Sequence, residues 1–264
     1  AKNIFSSGSY ISNDFFKIWL SLRIKENAKF YILYHGGGVP FKEHNFDHDE
    51  EIANKVLVWH KPIKKKQEQL PNLILKNTTL SRLKRDILVT LDPNISYYPV
   101  RTDDGPFSSL FLDDFNQKIK FSKLIIGDSQ RIVMRPYNSQ IWDYKNRITK
   151  HLGKEIIDTN IKFLDSLKKT KLHISGYLST TFSQSISYNI PTLGLIVEDL
   201  YNFSNKFNYI LKILKKNNIL FDDPKKLHLF LKRNNYEIDN WWNSKKIQRI
   251  IGIYKKDVLG ENKN

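Results

Sequence analysis

The strongest constraint in this sequence is an alternation: short apolar runs of strand length recur between stretches with helical periodicity along most of the chain. Strands separated by helices pair in parallel, with the helices as crossovers, so the pattern predicts an α/β fold with parallel sheets covered by helices. The clearest unit starts at Leu172-His173-Ile174, turns, and enters a helix opened by Ser179-Thr180-Thr181. Pro191 closes that helix before a strand from Thr192 to Val197, which completes a βαβ unit.

The same reading gives a helix over Asp14 to Glu26, a strand over Phe30 to Tyr34 and a break at His35-Gly36-Gly37-Gly38. An acidic helix follows from Asp47 to Asn54, then a strand from Val56 to Trp59. His60 to Asn72 is Lys- and Gln-rich and reads as a linker or exposed crossover. Further strands are expected at Leu73 to Leu75, Ile87 to Leu91, Ile132 to Met134 and Ile156 to Asp158. The turn Asp103-Asp104-Gly105-Pro106 launches a helix through Phe111 and Phe115, and others run from Trp142 to His151 and through Phe163 and Leu167. The tail reads as helix throughout, with Asp223-Pro224 as a cap and first-turn pair.

The 264 residues contain no cysteine, which excludes disulfides, thiolate metal sites and a cysteine nucleophile. No apolar run reaches the length of a membrane span and no signal peptide opens the chain, so a cytoplasmic protein is expected. Ala1 in place of Met fits a fragment as well as a mature protein. Lys and Arg number 43 against 27 Asp and Glu, a net charge of +16 that admits nucleic acid, an anionic membrane surface or phosphorylated substrates as partners. The basic residues lie in short scattered runs, such as Lys64-Lys65-Lys66 and Lys215-Lys216, which favours a solvated basic surface over a dedicated groove.

Four segments could carry chemistry. Ser179, Thr180 and Thr181 lie where a strand ends and a helix begins, so free N–H groups and hydroxyls there suit a phosphate; simple N-capping by Ser179 is the alternative. Arg135 ends the strand through Met134 on the same edge, where a guanidinium can clamp a diphosphate or form a structural salt bridge. His35 with Gly36, Gly37 and Gly38 offers an acid/base group beside a backbone that can approach a ligand, or a tight turn with an incidental histidine. The order of residues fits neither a Walker loop nor the dinucleotide pattern. His44 and His48, among Asp47, Asp49, Glu50 and Glu51, have a spacing compatible with a metal, but acidic residues belong in a helix's first turn anyway, and no metal is assigned. Trp241-Trp242 reads as packing rather than a platform.

Several ordered blocks together resemble a family of transferases encoded in bacterial O-antigen and surface-polysaccharide loci. They are His35-Gly36-Gly37-Gly38, His48-Asp49-Glu50-Glu51-Ile52-Ala53-Asn54 with Leu57-Val58-Trp59, Arg135-Pro136-Tyr137, Ser179-Thr180-Thr181-Phe182 with Asn189-Ile190-Pro191-Thr192, and Trp241-Trp242-Asn243-Ser244 with Gln248. The resemblance implies a longer protein with two Rossmann-like domains of GT-B glycosyltransferase type. Residues 1–72 would be the end of the acceptor-side α/β domain, and 73–264 the nucleotide-sugar-binding Rossmann-like domain with its C-terminal helices, the last crossing back onto the first domain. The chain departs from the family's pattern at Gln184, where a Glu is usual, at Val39-Pro40, and at His60.

The resemblance implies transfer of a sugar from a nucleotide-activated donor to a surface-polysaccharide acceptor, free or lipid-linked. Ser179, Thr180, Thr181 and Gln184 would hold the donor, Arg135 would neutralise the leaving nucleotide, and His35 would be the base with His48 in reserve. Neither a cofactor nor a metal is expected; peripheral contact with the inner membrane face is, nucleic-acid binding is not, and this fragment alone is expected to be inactive. The alternatives are a polyol-phosphate transferase of the same fold and a non-catalytic basic module binding nucleic acid or anionic glycan.

Overall fold

The computed structural model describes residues 2–34, 41, 46–70, 80–91, 109–137, 142–200, 203 and 205–261. Two parallel sheets organise them. The first has four strands in sequential order, β1 (Asn3–Ser6), β2 (Lys29–Leu33), β3 (Lys55–Val58) and β4 (Gln67–Gln69). Helix α1 (Ser9–Ser12) and helix α2 (Asp14–Lys25) link β1 to β2, and α3 (Phe46–Ile52) precedes β3. Because the strand order always advances in one direction, right-handed crossovers put α2 and α3 on the same face. That face is the core of this unit: Ile4, Phe30, Ile32, Val56 and Val58 are buried with Tyr10 and Leu20. On the other face Phe5 stacks on Tyr31 at 4.8 Å.

The second sheet has five strands in the order β6-β5-β7-β8-β9. These are β5 (Asp86–Thr90), β6 (Ile132–Arg135), β7 (Thr170–Ser175), β8 (Thr192–Leu195) and β9 (Leu220–Phe221). Every residue of β5 is buried, as a central strand covered on both faces requires. Ile87 and Val89 point into a core with Met134, Ile174, Leu193 and Phe221 under α4 (Ser109–Gly127), α5 (Tyr144–Leu152) and α9 (Pro224–Arg233). Leu88 faces the opposite side, with Leu167 of α6 (Phe163–Leu167) and Ile190. On that side α7 (Thr180–Ser187), α8 (Asn208–Lys216) and α11 (Lys245–Leu259) build a further core around Phe182, Leu211 and Tyr254. The short α10 (Asp239–Trp242) leads into α11.

Three expectations need correction. The segment 60–72 is more than a linker, since Gln67–Gln69 pairs with β3; three polar residues form a strand because it borders the sheet. The tail is not helix throughout, because Leu220 and Phe221 add a fifth strand beside Gly194 and Leu195. Residues 156–158 form a single bridge, Met134 to Ile157, after a turn of 3-10 helix rather than a strand proper. Leu73 to Leu75 and the turn at Asp103 to Pro106 lie outside the described residues. Among the described residues no helix is long and apolar enough to cross a membrane.

The final helix reaches the first unit. Lys61 N–H donates to Asp257 O at 2.8 Å, and Phe41 packs against Phe207 and Tyr254. Gly260 ends α11 at φ 67, and a Cβ there would lie 2.5 Å from the Trp59 carbonyl oxygen. Only glycine meets both the left-handed backbone and the close approach.

His173 is one of the polar groups buried inside the second unit. It is fully buried in β7, with Nε2 2.9 Å from Thr90 Oγ1 and Nδ1 2.7 Å from Ser185 Oγ. Burial pushes its pKa down from 6.5 to about 3, so the folded protein keeps it neutral. An unfolded chain takes up that proton below pH 6.5 while the native state does not. Stability is therefore full above 6.5 and falls as the pH drops toward 3, with a limiting slope of ~1.4 kcal/mol per pH unit. His173→Gln should flatten the pH 4–6.5 part of a denaturant-derived stability curve. Gly260→Ala should cost ~2 kcal/mol through backbone strain alone, read as a lowered Tm.

Candidate functional site

Strand β5 leads to its neighbour β6 on one side while the adjacent β7 leads to β8 on the other, so the connections leaving the carboxyl ends of β5 and β7 diverge. Open parallel sheets bind ligands in the crevice at such a switch point. Here the crevice is bordered by Thr90 and Leu91 after β5, Arg135 at the end of β6, and Ser175 to Ser179 after β7.

The β7 to α7 connection is fixed by its own bonds. Gly176 N–H donates to Thr90 O at 2.9 Å, Ser175 Oγ donates to Tyr177 O at 2.6 Å, and Ser179 N–H donates to the same carbonyl at 2.9 Å. Gly176, Tyr177 and Leu178 are buried, whereas Ser179, Thr180 and Thr181 are half-buried and border solvent. Ser179 has extended N-cap geometry, but its side chain accepts from none of the first-turn N–H groups; its Oγ lies 3.4 Å from Thr181 Oγ1 instead. By contrast Asn13, Asp223 and Ser244 each accept a backbone N–H from the helix they open. The capping alternative for Ser179 is thus not the arrangement seen. Thr180 and Gln184, four apart, share one face of α7, and Gln184 is half-buried.

The rest of α7 is anchored through serines that the sequence reading passed over. Ser183 Oγ lies 3.1 Å from Tyr254 OH, Ser185 Oγ meets His173, and Ser187 Oγ donates to Glu261 at 2.7 Å. The available signal was spacing: serines at the alternate positions 183, 185 and 187 interleaved with Ile186, and a lone histidine between Leu172 and Ile174.

Arg135 stands at the expected edge with its guanidinium engaged. Nη1 donates to Asp158 Oδ2 at 2.7 Å, to Asn160 O at 2.8 Å and to Ser166 Oγ at 3.2 Å, and Nη2 donates to Ile161 O at 3.0 Å. Burial opposes ionisation of Asp158, but hydrogen bonds from Ser166, Arg135 and Asn160 together hold its carboxyl below the usual range. The salt-bridge alternative is therefore realised, and the arginine fixes the 158–166 segment beside the crevice.

On the first unit, His48 is exposed on α3. Its acidic neighbours are used structurally: Asp49 accepts from Tyr34 OH, and Glu50 Oε1 accepts Lys66 N–H at 3.1 Å. Among the described residues no three metal-binding side chains gather. His35, Gly36, Gly37, Gly38, Val39-Pro40 and His44 lie outside the described residues. Trp242 is packing: it is fully buried and its Nε1 donates to Asn189 Oδ1 at 2.9 Å.

No curated protein matches the chain. Among solved structures, MurG from Acinetobacter baumannii is similar at a TM-score of 0.52 and 9% identity, over 97% of this chain and 74% of MurG. The accessory secretory protein 1, 2 and 3 structure from Streptococcus pneumoniae gives a TM-score of 0.49 and 12% identity, over 97% of this chain and 50% of that one. A TarM mutant from S. aureus, solved with Fondaparinux, alpha-GlcNAc-glycerol and UDP, gives 0.48 and 11%, over 90% and 49%. The chain thus spans about half the length of the accessory secretory protein it matches, and the likeness to MurG is one of fold, of the GT-B type expected from the sequence. A family model covers residues 1–264, and the chain belongs to the LIC12162 family of transferases.

Proposed function

We propose that this chain forms the donor-binding part of a glycosyltransferase that moves a sugar from a nucleotide-activated donor to a surface glycan of O-antigen or capsule type. One observation carries the reading: the first turn of α7 opens at the switch point, and its own Ser179 leaves the N–H groups uncapped. Those groups carry partial positive charge and suit the donor's phosphates. The hydroxyls of Thr180 and Thr181 add donors, and the Gln184 amide suits a ribose or sugar hydroxyl without acting as a base.

Arg135 contributes from behind this site. It holds the wall at 158–166 in place, and as a phosphate ligand it would first have to leave Asp158. His35 is the proposed base for the acceptor hydroxyl, with His48 in reserve. Helix dipole and hydroxyls supply the charge stabilisation, so the proposal includes neither metal nor cofactor. The acceptor is a glycan, free or lipid-linked, with the protein in the cytoplasm and in peripheral contact with the membrane that holds such an acceptor.

The test is a thermal-shift series with CMP, CDP, UDP, GDP and TDP. A nucleotide at a hundredfold its Kd should stabilise the protein by ~2.7 kcal/mol. Thr180→Ala should keep the unliganded Tm and lose most of that shift. Salt-sensitive binding to DNA or RNA with no nucleotide shift would replace the transferase reading by the basic-module one. A polyol-phosphate donor giving the shift where sugar nucleotides fail would reassign the transferred group. Arg135→Ala should behave differently from Thr180→Ala. It strands Asp158, whose side chain is 1% exposed, and should cost ~3 kcal/mol with or without nucleotide.

A further inference from the structure

The contacts of His173 specify a direction. Ser185 Oγ lies 3.0 Å from Thr181 O and 2.7 Å from His173 Nδ1, and it has a single proton to give. If all the contacts are made at once, that proton goes to the Thr181 carbonyl, so Nδ1 carries the ring hydrogen and donates to Ser185. Nε2 is then an acceptor, and Thr90 Oγ1 donates to it across 2.9 Å. The result is one chain of donors, from Thr90 through His173 and Ser185 to Thr181. It begins at the last residue of β5 and ends in the first turn of α7, the two sides of the switch point. The ring is wedged by Phe163, edge-on at 5.6 Å.

An apolar side chain would fill this space at less cost, because Leu88 and Phe163, on the same face of the sheet, are themselves part of an apolar cluster. What the imidazole adds is a fixed length and orientation between two elements. Gly176 N–H to Thr90 O gives the same strand end a second tie to the β7–α7 connection. We propose that His173 is a positioning residue for the donor site, a neutral spacer that sets the first turn of α7 relative to β5. This rests on the reading of that turn as the phosphate site.

Thr90→Val and Ser185→Ala each remove one link with little change of volume, and Thr90→Ser restores the first. Trp242→Phe, which loses the Asn189 bond beyond the opposite end of α7, serves as a control for general destabilisation. Calorimetric Kd for the stabilising nucleoside diphosphate, taken well below every variant's Tm, should weaken about fivefold in Thr90→Val and Ser185→Ala. It should return to the wild-type value in Thr90→Ser and hold in Trp242→Phe. Amide exchange at Ser183, whose N–H donates to Ser179 O at 3.1 Å and closes that first turn, should quicken in the same two variants only, a readout independent of ligand. If Tm falls while exchange and Kd stay at wild-type values, His173 is core filling and the positioning role is overturned, with the phosphate reading intact. If wild type binds none of the nucleotides, both fall.

Discussion

The second unit depends on one strand that has no free side. β5 pairs with β6 and β7, and its faces are covered by α4, α5 and α9 on one side and by α6 and α7 on the other. Such a strand satisfies its backbone only within the sheet, and its interior positions must be apolar. Its polar residues are confined to its ends. At the amino end Asp86 pairs with Arg85 at 2.9 Å and Arg131 at 2.6 Å. At the carboxyl end Thr90 bonds His173 and accepts Gly176 N–H. The first end is closed by its own ion pairs, while the second is hydrogen-bonded to the loop between β7 and α7.

Helix α7 is held from behind. Its apolar side, Phe182 and Ile186, is buried against α8 and α11. Its serines reach β7, Tyr254 and Glu261. These contacts fix the helix without using the donors of its first turn, which a ligand-binding turn requires. Tyr254 belongs to α11, and α11 meets the first unit through Asp257 and Gly260. One helix therefore supports the candidate site and also joins the two sheets.

Legibility in the sequence followed the physics of each element. Ile87 to Leu91 is dense in branched apolar residues because a doubly covered strand must be, and it read as a strand at once. Asp223-Pro224 announced α9, since Asp223 Oδ1 does accept the N–H groups of Lys225 and Lys226 at 2.7 and 2.8 Å. β4 and β9 were illegible for opposite reasons. The first is polar because it borders its sheet, and the second is two residues long between two strongly amphipathic helices. The position of Arg135 could be read, since a strand's last residue faces the carboxyl edge. Its commitment could not, because Asp158 and Ser166 lie 23 and 31 residues away and only the tertiary fold brings them there.

The ordered blocks that carry the family resemblance divide once their partners are traced. Asn189, in the left-handed region at φ 51, accepts from Trp242 Nε1 at 2.9 Å and Gln248 Nε2 at 3.2 Å, and Gln248 also donates to Trp242 O at 2.8 Å. Residues of two separate blocks thus form one strut between the α7–β8 turn and the α10–α11 corner, with their polar groups spent on one another. Arg135 is spent likewise on the 158–166 segment. A motif's polar residues point to chemistry only where hydrogen-bonding capacity is left over, because a satisfied buried group has nothing to offer a ligand. At the α7 block such capacity is left on the first-turn N–H groups behind Ser179, at the carboxyl edge of the second sheet.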